Sequence, residues 1–229
     1  MNRAALISVI VPVYNGANYL AEALESAQQQ TYAPLELIVI DDGSTDASFE
    51  MAGRLAAVRR VQQAHSGISA ARNRGIELAR GDFFAFLDAD DVWLAEKLTL
   101  QMRALEANPD LGMVFGHVQE FLSPELPAEI ANTLRCEPES KPGVIPSTLL
   151  VRREAFQRIG AFETQWDVGE FASWMLHASE ARVAWSILPD LVARRRIHTA
   201  NNGIRQRHAF NQYARLIKAS LDRRRAAEK

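Results

Sequence analysis

Three apolar runs, each ending in a turn of acidic or amide side chains, constrain this chain more than any other feature of it. Leu6-Ile-Ser-Val-Ile-Val-Pro-Val13, Leu35-Glu-Leu-Ile-Val-Ile40 and Phe83-Phe-Ala-Phe-Leu87 are short, β-branched or aromatic, and almost unbroken in apolar character. Such runs are expected of strands buried on both faces of a parallel sheet. The segments between them read as helices. Ala17 to Gln30 carries Leu20, Ala23, Leu24 and Ala27 on one face, and Pro34 follows its end. The second run passes into Asp41-Asp-Gly-Ser-Thr-Asp46, a turn suited to capping a helix over residues 47–58. A weaker third cycle places a strand at Val61-Gln62-Gln63, a loop through Gly67 and a helix from Ser69 to Arg80. The last run ends in Asp88-Ala-Asp-Asp91, with Trp93 and a helix from Ala95 to Ala107 after it. Four strands alternating with helices imply an open α/β sheet with crossover connections.

Ligands of such sheets collect outside the carboxyl ends of the strands. There the sequence puts Tyr14-Asn15, Asp41-Asp42 and Asp88 to Asp91. Carboxylates crowded together repel unless a cation or hydrogen-bond donors sit among them. In an extended or turning segment, Asp88 and Asp90 can project the same way and reach one hard cation, whose other ligands are water and phosphate oxygens. That arrangement suits a metal-bound diphosphate.

The composition removes several alternatives. With 26 basic and 28 acidic residues the formal net charge is -2, so no global positive field exists to hold nucleic acid. The single cysteine, Cys136, excludes an intrachain disulfide and a cysteine-based zinc site, and it fits a reducing, cytoplasmic setting. No segment approaches the roughly 20 apolar residues of a membrane span. A nicotinamide dehydrogenase needs Gly-x-Gly-x-x-Gly after its first strand, where Tyr14-Asn-Gly-Ala-Asn18 has one glycine. A nucleotidyltransferase would want a glycine-rich basic loop near the first strand, and none is present. A non-catalytic ligand-binding module remains the alternative to an enzyme.

Four ordered segments carry a resemblance: Ser8-Val-Ile-Val-Pro-Val-Tyr-Asn-Gly16, Ile38-Val-Ile-Asp-Asp-Gly-Ser-Thr-Asp46, Gly67-Ile-Ser-Ala-Ala-Arg-Asn-Arg-Gly75 and Gly81-Asp-Phe-Phe-Ala-Phe-Leu-Asp-Ala-Asp-Asp-Val-Trp93. Together they resemble the successive signatures of the family 2 inverting glycosyltransferases of GT-A fold. The likeness is dense from residue 6 to about 110. Beyond it, Leu150 to Phe162 and Arg196-Ile-His198 resemble later landmarks. The resemblance implies an α/β GT-A domain with an open, mixed, mostly parallel sheet flanked by helices. The whole chain, 1–229, would form one domain, with a nucleotide-sugar half over about 1–110, an acceptor side over about 111–203 and a basic C-terminal helix over 204–229.

The same resemblance assigns roles. Pro12 and Tyr14 would line a base pocket, and Asp42 would accept the imide N–H of uracil. Arg72 would face the nucleotide, with its guanidinium on base or diphosphate, and Asn73 would fix that loop. Asp88 would hold the ribose. Asp90 would ligate a divalent cation, Mn2+ or Mg2+, bridging the diphosphate, and His198 would close the metal site or cap the phosphates. Many family members place an adjacent Glu-Asp pair at the start of a helix, the aspartate being the base. This chain departs from that pattern with Gly169-Glu170-Phe171. Glu170 is then the first candidate for the catalytic base and Asp167 the second. The donor would be a nucleotide sugar, with UDP as the nucleotide, and the acceptor a saccharide, lipid-linked sugar, peptide or small molecule.

Val118 to Ser147 holds five prolines and reads as a loop or flap, either gating the site or crossing the surface. A short strand is expected over Thr148–Val151, a short helix over Glu154–Ile159 and a helix over Glu170–Ala181. From Ile204 to Arg225 the chain is basic and helix-friendly. Such a helix either packs on the domain or lies peripherally on an anionic membrane; packing is favoured, because its hydrophobic residues are what docking requires.

Overall fold

The computed structural model describes residues 4–166, 168–201 and 211–227. Its elements in chain order are β1 (Ile7–Val13), α1 (Ala17–Gln28), β2 (Leu35–Asp41), α2 (Ser48–Ala52), β3 (Val58–Gln62), α3 (Ile68–Leu78), β4 (Phe83–Phe86), β5 (Val92–Trp93) and α4 (Lys97–Ala107). Then come β6 (Leu111–Leu122), α5 (Ala128–Ala131), β7 (Lys141–Gly143), a 3-10 turn (Pro146–Thr148), β8 (Leu150–Arg152), α6 (Arg153–Ile159), α7 (Glu170–Glu180), β9 (Ala184–Ile197) and α8 (Asn211–Ala227).

One sheet organises them, in the order β3-β2-β1-β4-β8-β6-β9-β5, with β7 added beside β6. β1, β2, β3 and β4 are mutually parallel, and β6 runs parallel to β9; β8, β5 and β7 are antiparallel to their neighbours. All seven residues of β1 are buried, which explains why its sequence does not alternate. Successive residues of β1 serve opposite layers. Ile7, Val9, Val11 and Val13 join the core under α1 and α4, whereas Ile10 joins Phe84 and Phe86 in the core under α3, α6 and α7. Gly75 lets α3 approach that second layer: a Cβ there would stand 2.4 Å from Ile10 Cγ2.

β1, β2 and β4 fall where the three apolar runs put them, and the segments between need local corrections. The helix expected over 47–58 is only α2, because Gly53 ends it and Ala57 turns with φ +61° into β3. β3 therefore starts at Val58, opposite Leu37, and not at Val61. As the outermost strand it exposes Arg59 and Arg60, which is why its pattern reads as polar. The stretch expected as a loop from Val118 contains the end of β6, the short α5 and β7. β6 persists there because β9, a strand the sequence disguises with Pro189 and three consecutive arginines, pairs with it as far as Ile197. The register shift between Phe115 and His117 falls opposite the stretch that holds Pro189, where a proline interrupts the ladder least. The basic C-terminal helix is described from Asn211; residues 204–210 of the expected span lie outside the described residues. Among the described residues no helix is long and apolar enough to cross a membrane.

One buried lysine stands apart from the site. Lys97 at the start of α4 is fully buried, with Nζ 2.6 Å from Gln101 Oε1, 3.3 Å from the Leu149 carbonyl and 4.4 Å from the Trp93 ring centre. Burial pushes its pKa well below the ordinary 10.5. The unfolded chain therefore binds a proton that the folded chain has released, and stability rises with pH between the folded value and 10.5. Urea unfolding of the wild type and Lys97→Met between pH 7 and pH 9 should show a steeper rise for the wild type, by at most about 1.4 kcal/mol per pH unit. Parallel slopes would contradict this account.

Candidate active site

The parallel pairing brings the polar turns to one edge. Val13 lies opposite Asp41, and the Asp42 N–H donates to the Val13 carbonyl at 2.8 Å. Gln63 N–H donates to the Asp41 carbonyl at 2.9 Å, and Leu87 N–H to the Ile10 carbonyl at 3.0 Å. The ends of β1, β2, β3 and β4 thus meet where an open α/β sheet collects its ligands.

Within that edge the carboxylates differ in what they hold. Asp41 is fully buried, and its Oδ1 accepts from the N–H groups of Gly43 and Ser44 at 3.1 and 2.9 Å, which shapes the turn after β2. Asp42, 3% exposed, organises the loop after β3: it accepts from Gln63 Nε2 at 2.7 Å, Ser66 N–H at 3.0 Å and Gly67 N–H at 2.8 Å. His65 Nδ1 lies 2.9 Å from the second Asp42 oxygen, and its ring stacks on Tyr14 with centres 4.0 Å apart. Tyr14 is exposed, while Pro12 is buried within β1 opposite Ile40. Asn15, at φ +51°, accepts from Thr45 N–H at 2.8 Å and so fastens the β1 turn to the β2 turn.

Arg72 joins the two halves of the chain. Its guanidinium, 1% exposed, donates to Asp88 Oδ1 at 2.8 Å and to Glu170 Oε1 at 2.9 Å, above the ring of Phe162 at 5.6 Å. Its Nε is buried without a partner. Burial works against the charge, yet Asp88 and Glu170 together raise the arginine's pKa. Asp88 is pushed up by burial, pulled down by Arg72 and pushed up again by Asp90, with a net rise. The adjacent Asn73 spends its amide on the backbone of Phe162, donating to the carbonyl at 2.8 Å and accepting from the N–H at 3.0 Å. Asn73 thereby anchors the segment that leads to Glu170. Glu170 opens α7 after Gly169, whose φ of +84° and whose contact with α8 both favour glycine: a Cβ would stand 2.8 Å from Leu216. Asp167, the second base candidate, lies outside the described residues.

Asp90 meets the end of β9. Its Oδ2 is 3.0 Å from His198 Nε2 and 3.0 Å from Asn201 Nδ2. The Ala200 N–H points at His198 Nδ1 across 3.2 Å, which makes Nδ1 the acceptor and leaves Nε2 to carry the proton toward Asp90. Asn201 also accepts from the His198 N–H at 2.6 Å, so it braces both members of the pair. Arg196, 3% exposed, supports the turn from behind: its Nε donates to the Asp90 carbonyl at 3.1 Å, its backbone N–H to Asp91 Oδ1 at 3.2 Å, and its head group pairs with Glu22. Burial, Asp90 and Asp88 together push Asp91 well above the carboxylate range. Tyr19 lies against His198 at 4.6 Å between ring centres and donates to Glu125, which hydrogen bonds from Ser123 and Tyr19 hold at a pKa of about 2. Among the described residues no group of three His, Cys, Asp or Glu side chains is assembled to hold a metal ion. Asp90 supplies a ligand oxygen and His198 a second ligand once Nε2 gives up its proton, which fits a cation whose remaining ligands are diphosphate and water. Sequence reasoning missed His65, Tyr19 and Asn201; only the position of Asn201 three residues after His198 could have signalled its part.

Comparison with known proteins agrees with this architecture. An uncharacterized glycosyltransferase of Escherichia coli (strain K12), YibD, is 46% identical over 116 residues, 48% of this chain and 34% of that protein. The putative glycosyltransferase EpsH of Bacillus subtilis (strain 168) is 34% identical over 139 residues, 58% of this chain and 40% of that protein. The chain thus spans well under half the length of these two relatives. Among solved structures, S. aureus TarS 1-349 in complex with UDP matches with a TM-score of 0.70 at 22% identity, covering 93% of this chain and 64% of that one. The mannosyltransferase PcManGT from Pyrobaculum calidifontis, in complex with GDP-Man and Mn2+, matches with a TM-score of 0.68 at 23% identity and the same coverage of 93% and 64%. The family model described as Glycosyl transferase family 2 matches residues 8–160, about two thirds of the chain, which therefore belongs to that family.

Proposed function

We propose that this chain moves a sugar from a UDP-linked donor to an acceptor hydroxyl with inversion at the anomeric carbon. The observation that carries the reading is the junction made by Arg72, which ties Asp88 on the strand-end edge to Glu170 on the second half of the chain. A donor lying along that edge would have its diphosphate beside Asp90 and its sugar toward Glu170. The family membership, and the nucleotide complexes of TarS and of the mannosyltransferase, support a nucleotide-sugar donor.

In this reading the uracil stacks on Tyr14 near Pro12 and gives its imide N–H to Asp42. Because Asp42 already accepts from the 63–67 loop, the exposed His65 is the partner that gives way; its stack on Tyr14 and its contact with Asp42 are the two interactions a uracil would make. Asp88 receives the ribose hydroxyls while Arg72 keeps that carboxylate in place, and Asn73 holds the Phe162 segment behind it. Asp90 and His198 would hold Mn2+ or Mg2+, which supplies charge compensation for the departing diphosphate. Glu170, with Oε1 held by Arg72, turns Oε2 to the acceptor. It takes the hydroxyl proton as the acceptor oxygen bonds to the anomeric carbon and the bond to the nucleoside diphosphate breaks. Asp167 is the second candidate for that proton. The acceptor is a saccharide, lipid-linked sugar, peptide or small molecule, met inside the cell or at the inner face of a membrane. Release of UDP that depends on acceptor separates this reading from a module that binds nucleotide sugars without transferring them.

Three outcomes are expected. Calorimetry with UDP and manganese should show much weaker binding for Asp90→Asn, which keeps the size of the side chain and removes the charge that balances the cation; unchanged affinity and metal dependence would remove Asp90 from the metal site. UDP should outcompete CDP, since cytosine presents a lone pair where uracil presents its imide proton, and Asp42→Ala should abolish the preference. A preference that survives would show the base pocket to be elsewhere. Glu170→Gln should slow transfer by about 10²–10⁴-fold and leave UDP affinity nearly unchanged, because the amide carbonyl can still accept from Arg72. Full turnover in that variant would pass the role to Asp167.

A further inference from the structure

The C-terminal helix α8 has two faces with different fates. Its inner face is docked on α7: Leu216 and Ser220 are each 3% exposed, Ser220 Oγ donates to Glu180 at 2.5 Å, and Arg223 donates to the same carboxylate at 2.9 and 3.2 Å. Leu216 and Tyr213 also close against Gly169, and Gln212 accepts from the Val168 N–H at 3.3 Å. This docking places the helix directly beside the residue that precedes Glu170. The outer face is exposed among the described residues. Ile217 is 56% exposed and Leu221 47% exposed, one helical turn apart on the same side. Lys218, Arg224 and Arg225 are exposed, and the spacings of Ile217 to Arg224, Leu221 to Arg225 and Lys218 to Arg225 set these cations along the border of the apolar pair. Over the whole helix five cations stand against the single Asp222, in a chain whose formal net charge is -2.

We infer that the outer face of α8 docks the chain on an anionic lipid surface, and, resting on the transfer reading above, that the acceptor is carried on that surface. Packing on the domain, the role expected of this helix, uses only Leu216, Ser220 and their neighbours and leaves Ile217 and Leu221 without a function. An interfacial helix needs an apolar strip to enter the headgroup boundary and cations beside it to meet lipid phosphates. The exposed face of α8 supplies both. A second copy of the chain fits poorly, because a two-fold pairing would press the cationic border against itself. Since the opposite face of the same helix closes on Gly169, a lipid layer beneath α8 would lie next to the Glu170 side of the site and away from the base pocket at Tyr14.

The test is co-sedimentation of the whole chain with vesicles of phosphatidylcholine alone or mixed with phosphatidylglycerol. Binding to the mixed vesicles and release by added salt are expected, with little binding to phosphatidylcholine. Lys218→Gln with Arg225→Gln should weaken that binding by about thirty-fold, at roughly fivefold per cation. Ile217→Ser with Leu221→Ser should weaken it as well, and UDP affinity in both double variants should stay at the wild-type level because neither pair touches the site. Equal binding to both vesicle types, binding that survives both double variants, or a lipid-free dimer in sedimentation velocity that the same substitutions dissolve would each overturn the inference. The measurement uses neither donor sugar nor acceptor, so failure of the transfer reading and failure of lipid docking are distinguishable.

Discussion

The ion pairs of Arg72 are the interaction on which the rest of the site depends. A guanidinium with 1% of its surface exposed is tolerated only because Asp88 and Glu170 flank it at 2.8 and 2.9 Å. Removing one partner of such a buried pair costs about 3–5 kcal/mol, because the remaining charge is left uncompensated. The pairing also fixes distance. Asp88 lies in the turn after β4 and Glu170 begins α7, elements well separated in sequence, and a single planar group sets how far apart their carboxylates stand. Asn73, one residue on, clamps Phe162 and so prevents the second half from drifting from α3. The strand-end edge and the start of α7 are thereby held as one unit.

A second constraint is the crowding of acids at the sheet edge, which the structure resolves by giving each a different partner. Asp41 and Asp42 are absorbed by backbone N–H groups of the turns after β2 and β3. Asp91 is buried and receives the backbone N–H of Arg196. Asp88 and Asp90 alone in this group keep substantial access to solvent, with 29% and 28% of their side-chain surface exposed. The acids that shape the loops and those left to meet a ligand are therefore separable by geometry, although Asp88, Asp90 and Asp91 occupy one four-residue turn.

The first half of the fold was legible because its strands are buried on both faces and so write themselves as apolar runs; β1, β2 and β4 lie where Leu6–Val13, Leu35–Ile40 and Phe83–Leu87 indicate. β3 and β9 were not legible, for the same reason in two forms. An outer strand such as β3 exposes Arg59 and Arg60, and β9 exposes several of its residues and carries Pro189, so both depend on pairing with a partner and not on local pattern. The site shows the same division. Asp88, Asp90 and His198 stand out by residue type and place, and the structure sets Asp90 against His198. Asn201 and His65 are ordinary polar residues whose parts arise only from what folding sets beside them. Tyr19 belongs with them: its contact with His198 joins α1 to the end of β9 across most of the sequence.

The departure at Phe171 has a structural counterpart that bears on the chemistry. Phe171 is 8% exposed, stacked on Trp174 at 5.8 Å between centres and edge-on to Phe115 at 6.3 Å. Burying such a ring contributes about 1.5–3 kcal/mol, whereas a carboxylate in the same apolar setting would be left without a partner. Phe171, where the resemblance implied an aspartate, is here part of the core beneath α7. Whatever acidic group serves the acceptor must then come from residues that face away from that core. Glu170 does, since its Oε1 reaches Arg72 on the other side of the helix start. The aromatic stack at Phe171 leaves Glu170 as the acid at the start of α7, and the ion pair with Arg72 is what keeps that carboxylate directed at the strand-end edge.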